Sequence, residues 1–231
     1  MLAIVTLVNR TEPISRRERP AKPALSRAAI VDAASIVLKR DGADKLTMRR
    51  VAAELDTGPA SLYVYVKNTA ALHALLIDRL LGNLDLGWDE TEPWRTRLHR
   101  VLSDYESLLV QYPDLARTAL FVWPDGPHYL DLIELLLRLL QGAGANMHTA
   151  AWAVDLLLQH ASSTAAEWAA RASGTGQDIR DLTTTLESAD LNRHPVLASM
   201  GPGPFTRGDP EERSRWAEDA LIDGILSHQS Q

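Results

Sequence analysis

The 231-residue chain contains no cysteine. That excludes a disulfide framework, a thiolate zinc site and a thiol redox switch, and it agrees with a reducing compartment, so a cytoplasmic protein is expected. No apolar run reaches the roughly 18 residues of a membrane span. Met1 to Val8 is apolar but lacks a basic leader and a cleavage site, and a charged, proline-containing stretch follows it, so neither export nor a membrane partner is expected. Also missing are the short strings that hold phosphates, dinucleotides or zinc, or that present a serine nucleophile: G-x-x-x-x-G-K-[ST], G-x-G-x-x-G, H-E-x-x-H and G-x-S-x-G. The 7 histidines are scattered. His148, Trp152 and His160 share one helical stretch, yet a lone histidine there is more often core or solvated than a metal ligand. Asp89-Glu90 falls in a loop, where no partner fixes an acid–base geometry. No catalysis, cofactor or metal is expected. Alternating β-branched runs are absent as well, which leaves an all-α class.

What is present is helical periodicity and an uneven charge. The chain carries a net charge of −6, but residues 1–82 hold 13 Lys and Arg against 8 Asp and Glu, and residues 83–231 hold 11 against 22. A basic N-terminal third beside an acidic remainder is what a nucleic-acid module joined to a different kind of domain would show. Within that third, residues 47–68 read TMRRVAAELDTGPASLYVYVKN. Thr47 can cap a helix whose Met48, Val51, Ala52 and Leu55 recur at helical spacing. Asp56-Thr57-Gly58 breaks the pattern, Pro59 suits a first helical turn, and Asn68 can cap the next helix, so the second helix spans about two turns. Helix, turn and short helix form a helix-turn-helix. Arg49 and Arg50 sit in a first turn, where the macrodipole disfavours cations, so another partner is required. In this motif the second helix enters the major groove, and the flanking polar groups meet phosphates and base edges. Thr47, Arg49, Arg50, Pro59, Ala60, Ser61, Tyr63, Tyr65 and Lys67 are the candidate DNA-binding residues, with Arg49 reaching a base edge and Thr47 and Ser61 holding phosphates.

Two strings in order carry a family resemblance. Leu46-Thr47-Met48-Arg49-Arg50-Val51-Ala52 and Leu62-Tyr63-Val64-Tyr65-Val66-Lys67-Asn68-Thr69-Ala70-Ala71-Leu72 resemble the DNA-binding domain of the tetracycline-repressor (TetR) family, over residues 26–82. The chain departs from the family at Asp56, where the family usually has Gly, and at Thr69, where it often has Lys. The resemblance implies a helix-turn-helix domain followed by a helical effector-binding domain that pairs through a four-helix interface.

In chain order, residues 1–25 read as a flexible basic arm, because three prolines stand among its arginines. The DNA-binding domain spans 26–67, opening with a helix capped by Ser26. Residues 68–231 form the effector-binding and dimerisation domain, reached through a connecting helix from Asn68 to Leu81. Helices follow over Trp94–Gln111 and from Pro113 through Val122. His128–Gln141 is apolar nearly all round and is therefore expected to be buried, and a long helix runs from Asn146 to about Arg171. A polar helix covers 177–190, loops surround His194-Pro195 and Gly201-Pro202-Gly203-Pro204, and Asp209 caps a final helix to about Ser227.

Aromatic residues among aliphatics at Tyr105, Phe121, Trp123, Tyr129 and Trp152, with His128, are the candidate effector site. Leu158, Ala165, Trp216, Leu221 and Ile225 are the candidate core of a homodimer interface. A ligand-responsive regulator, a repressor released from palindromic double-stranded DNA by a small apolar or amphipathic effector, is the function the family resemblance implies. The competing reading is a DNA-binding interaction protein whose helical domain recruits another protein and holds no effector. A cavity after Pro93 would separate the two.

Overall fold

Five helix starts form with the caps that their residues imply. Ser26 Oγ accepts from Ala29 N–H, Thr47 Oγ1 from Arg50, Asn68 Oδ1 from Ala71, Asn146 Oδ1 from Thr149 and Asp209 Oδ1 from Glu211. The computed structural model describes residues 24–174, 179–190 and 192–229; all but the last two residues of the expected basic arm lie outside these. Among the described residues the chain is all-α: α1 Arg27–Asp41, α2 Met48–Glu54, α3 Pro59–Leu62, α4 Thr69–Leu81, α5 Trp94–Val110, α6 Pro113–Ala119, α7 Pro127–Gly142, α8 Met147–Ala172, α9 Ile179–Glu187, α10 Pro195–Met200, α11 Gly203–Thr206 and α12 Pro210–Ser227. A single 3₁₀ turn, Ala43–Lys45, links α1 to α2.

The DNA-binding domain closes on Ile30, Ala34 and Val37 of α1, Met48, Val51 and Ala52 of α2, and Leu62 and Val66, all buried. α4 lies across this core with Leu72 and Leu76 and continues into the second domain, where it meets α6 and α7. There α5, α6 and α7 pack on α8. Ala150, Ala153, Ala161 and Ala165 give α8 a small-residue face that lets its neighbours approach, while Leu98, Leu102 and Leu109 fill the space from α5. α12 lies along α8. A polar seam joins it to α5: the His99 ring bridges Glu218 and Asp219, Arg95 reaches Asp219 and Asp223, and Ser214 donates to the Glu106 carboxylate.

Three expectations need correction. α3 is one turn rather than two, because Tyr65 and Val66 N–H both return to Leu62 C=O and close a turn in place of a second helical turn. The Pro-Gly segments read as loops hold α10 and α11, since a proline that ends one helix also suits the first turn of the next. α7 is not buried all round. Leu132, Leu135, Leu136, Leu139 and Leu140 face the core, whereas Leu130 is 62 % exposed on the other side.

Candidate functional site

The helix-turn-helix presents its polar groups on one exposed face. Thr47, Arg49, Arg50, Pro59, Ala60, Ser61 and Lys67 are all exposed there. Leu62 and Val66 anchor the second helix, and Tyr63, Val64 and Tyr65 between them are turned outward, so neither tyrosine packs beneath the helix. The two arginines of α2 differ. Arg50 Nη1 is 2.9 Å from Asp41, which also binds Arg40, and Arg40 reaches Glu54 as well. These ion pairs hold the Asp41 carboxyl below the usual carboxylate range, chiefly through Arg40. Arg49 has no ion pair or hydrogen bond from its guanidinium among the described residues. Thr47 Oγ1 is used as an acceptor by Arg50 N–H, which leaves its O–H free to donate.

α4 ties this face to the rest of the molecule. Thr118 of α6 donates to the Asp114 carbonyl, so it accepts from His73, whose Nδ1 is 2.8 Å away and carries the proton. Burial lowers the pKa of His73, against a smaller opposing effect of Asp114. One turn further, Asp78 Oδ1 accepts from Tyr129 N–H at 2.9 Å and Oδ2 lies 3.2 Å from His128 Nδ1. The N-cap of α7 is Gly126, which offers no side chain, so the carboxylate of α4 caps α7 from outside. A Cβ at Gly126 would stand 2.1 Å from Asp78 Cγ, and only glycine permits this approach. Arg79 pairs with Asp32 of α1, and Arg27 of α1 with Asp125 before α7.

Beyond that junction lies a cavity of about 530 Å³ bounded by α5, the end of α6, α7 and α8. Tyr105, Trp123 and Tyr129, three of the expected effector residues, line it together with Leu120, Val122, Ile133 and Leu137. At its floor the Tyr105 hydroxyl is 3.0 Å from Ser162 Oγ, both buried, and burial pushes the Tyr105 phenol up to about 12. The other three expected residues stand elsewhere. Phe121 lies between Leu120 and Val122 in the turn that sends those two inward, and it is 84 % exposed. His128 faces Asp78 and Gly82 on α4. Trp152 sits on the neighbouring face of α8, its ring tilted against that of His148 with 4.4 Å between ring centroids. The pattern of aromatics missed Asp155, Gln159 and Ser162, which line the cavity from α8. Their helical spacing, four residues and then three, was the available signal.

Trp152 instead lines a shallow apolar groove of about 380 Å³ between α8 and α12, with Leu156, Leu221 and Ile225. Trp216 is 73 % exposed on α12. Leu158 and Ala165, the other expected interface residues, point into the protomer's own core, because they share the inward face of α8 with Ala161 and Ser162.

No described helix is long and apolar enough to cross a membrane. Residues 30–74 match the model of the bacterial regulatory proteins of the tetR family, and residues 86–228 match that of the tetracyclin repressor-like C-terminal domain. A solved transcription regulator of Streptomyces coelicolor, SCO7704, is 46 % identical, with a TM-score of 0.80 over 91 % of this chain and 98 % of that one. ActR of the same species, solved in complex with actinorhodin, is 30 % identical with a TM-score of 0.76 over 90 % of this chain and 100 % of that one. The transcriptional repressor DrrR1 of Streptomyces coeruleorubidus is 34 % identical over 133 residues, which are 56 % of this chain and about half, 48 %, of that protein. The helix-turn-helix agrees with the first model and the helical domain behind it with the second, and the chain belongs to the TetR family of bacterial regulatory proteins.

Proposed function

We propose that the protein is a homodimeric repressor that leaves a palindromic operator when a small apolar or amphipathic molecule fills the cavity between α7 and α8. The observation that carries this reading is the contact between Asp78 and the first turn of α7. Tyr129 lines the cavity with its ring and donates its backbone N–H to Asp78, so one residue touches both the effector space and the DNA-connected helix. A ligand that binds one position of α7 better than another then shifts α4, and a ligand indifferent to the two shifts nothing. In a dimer the two recognition helices must stand about one DNA turn apart, or a multiple of it, and a displaced α4 spoils that spacing. The cavity lies within the size range of small-molecule sites and favours an effector over the recruitment of a protein partner. ActR, solved with actinorhodin and with (S)-DNPA, supports the same use of the same fold.

On the DNA side, Arg49 reads a base edge, Thr47 and Ser61 donate to phosphates, and Tyr63, Tyr65 and Lys67 position the helix. The exposed Trp152, Leu156 and Trp216 of α8 and α12, with the half-buried Leu221 and Ile225, form the dimer face. A solution mass of twice 25.5 kDa is the corresponding expectation.

The test begins with duplexes selected from a random pool by the protein itself. Arg49→Ala should weaken the selected complex by about 1–3 kcal/mol and relax its sequence preference, because a base contact is lost. Arg50→Ala should cost less, since Arg50 is held by Asp41. The complex is then challenged with a panel of hydrophobic compounds, scored by gel shift at fixed salt. Equal binding by the Arg49 variant would remove the base-reading role, and a panel in which nothing releases the parent would favour the protein-recruiting alternative.

A further inference from the structure

The cavity between α7 and α8 is apolar on one side and polar on the other. Leu120, Val122, Ile133 and Leu137 supply the apolar side. Along α8, Asp155, Gln159 and Ser162 recur at helical spacing and make a polar stripe, with Ser162 buried at the floor and Asp155 and Gln159 exposed at the mouth. Ser162 is already bonded to Tyr105. Neither Asp155 nor Gln159 has a hydrogen bond or ion pair from its side chain among the described residues. No lysine, arginine or histidine lines the cavity, so its one charged lining group is a carboxylate. The field of that carboxylate is felt inside: the Tyr129 phenol is held above its usual pKa first by burial and then by Asp155.

We infer that the effector is an amphiphilic cation, an apolar body that lies along Ile133 and Leu137 and carries a basic amine seated at Asp155. This rests on the reading of the cavity as the effector site and adds the charge of what enters it. The apolar side removes hydrocarbon surface from water for any ligand. The carboxylate then separates ligands by charge. An ammonium at the mouth gains its attraction, a neutral group gains nothing from it, and an anion meets repulsion with no cation in the lining to offset it. Because Asp155 is exposed, the discrimination is that of a solvent-accessible pair, about two- to fivefold for each unit of ligand charge, and salt reduces it.

Three fluorescent probes with one apolar body, a dansyl group on a five-carbon chain, test this in the full-length protein: dansylcadaverine as the cation, N-pentyldansylamide as the neutral form and 6-(dansylamino)hexanoic acid as the anion. Dissociation constants should rise in that order for the parent, and the spread should shrink in Asp155→Asn, whose exposed position leaves folding and DNA binding intact. Raising the salt should shrink it as well. Ile133→Trp, which puts an indole where the apolar body would lie, should weaken binding of all three. Equal affinities for the three probes in the parent, or an unchanged spread in Asp155→Asn, would overturn the cationic assignment while leaving the cavity a ligand site. Probe affinities unchanged in Ile133→Trp would put the probes outside the cavity and overturn the assignment too. No binding of any probe by the parent would instead strike the effector reading itself, and the charge assignment with it.

Discussion

Asp56 occupies a backbone position that favours glycine. Its φ is +48°, and it sits where α2 ends, with Asp56 N–H returning to Ala53 C=O and Thr57 N–H to Ala52 C=O. That pair of bonds is the Schellman ending of a helix, in which the left-handed residue is usually Gly. A side chain there costs energy, less for Asp than for most residues, and a negative charge at a helix C-terminus adds to the cost. The departure from the family's glycine was visible in the sequence, and its consequence is a side chain held at positive φ. Asp56→Gly should therefore stabilise the protein by up to about 1 kcal/mol, and Asp56→Val should destabilise it by about 1–2 kcal/mol because a β-branched residue fits the left-handed region poorly. Chemical denaturation of the two variants beside the parent measures both, and a Gly variant less stable than the parent would contradict the backbone argument.

At the scale of the helix, what the sequence revealed depended on how local the interaction was. Ser26, Thr47, Asn68, Asn146 and Asp209 cap helices through bonds that span two or three residues, and each start was legible. The face that a helix turns to a given neighbour was not. Trp152 and Asp155 are three residues apart on α8, yet one looks toward α12 and the other into the cavity. Periodicity predicts the stripes without saying which neighbour meets which stripe. Leu158 and Ala165 were placed on the dimer face for the same reason, although they fill the core. The Asp78 contact was hidden too, since it joins residues 51 apart in the chain. Asp78→Ala should cost α7 about 0.5–2 kcal/mol as a lost cap. It should also reduce the effector's influence on DNA affinity, a coupling typically worth 1–3 kcal/mol, while Asp78→Asn, which keeps an acceptor oxygen, should fall between the two. Operator titrations with and without a releasing compound give the coupling as a ratio. An Ala variant that keeps the parent's ratio would show that α4 is moved by some other contact.

For the molecule as a whole, the seam between α5 and α12 sets a dependence on pH. Glu106 is buried, and burial first, then the nearby Glu218 carboxylate, raise its pKa from 4.5 to about 7, with the hydrogen bond from Ser214 opposing. A carboxyl whose pKa is raised on folding holds its proton in the native state at pH values where the unfolded chain has lost it. Between about 4.5 and 7 the folded state therefore binds the extra proton, and stability falls as pH rises through that window. Below the window both states are protonated and nothing is lost; above it the full penalty applies. His73 works the other way, since burial lowers its pKa, but it is unchanged in a Glu106 variant and cancels in the comparison. Glu106→Gln keeps the shape and an oxygen that can accept from Ser214, and it removes the charge. At one pKa unit for about 1.4 kcal/mol, the variant should be more stable than the parent by about 2–3 kcal/mol at pH 8, a melting temperature higher by roughly 4–12 °C for a chain of this size. At pH 4 the two should melt together. Because α12 also carries the proposed dimer face, the same pH rise should loosen the dimer in the parent and spare it in the variant, which sedimentation at both pH values would show. A stability gain of equal size at pH 4 and pH 8 would mean that the Glu106 pKa is not raised on folding, and the seam would then lose its part in the pH response.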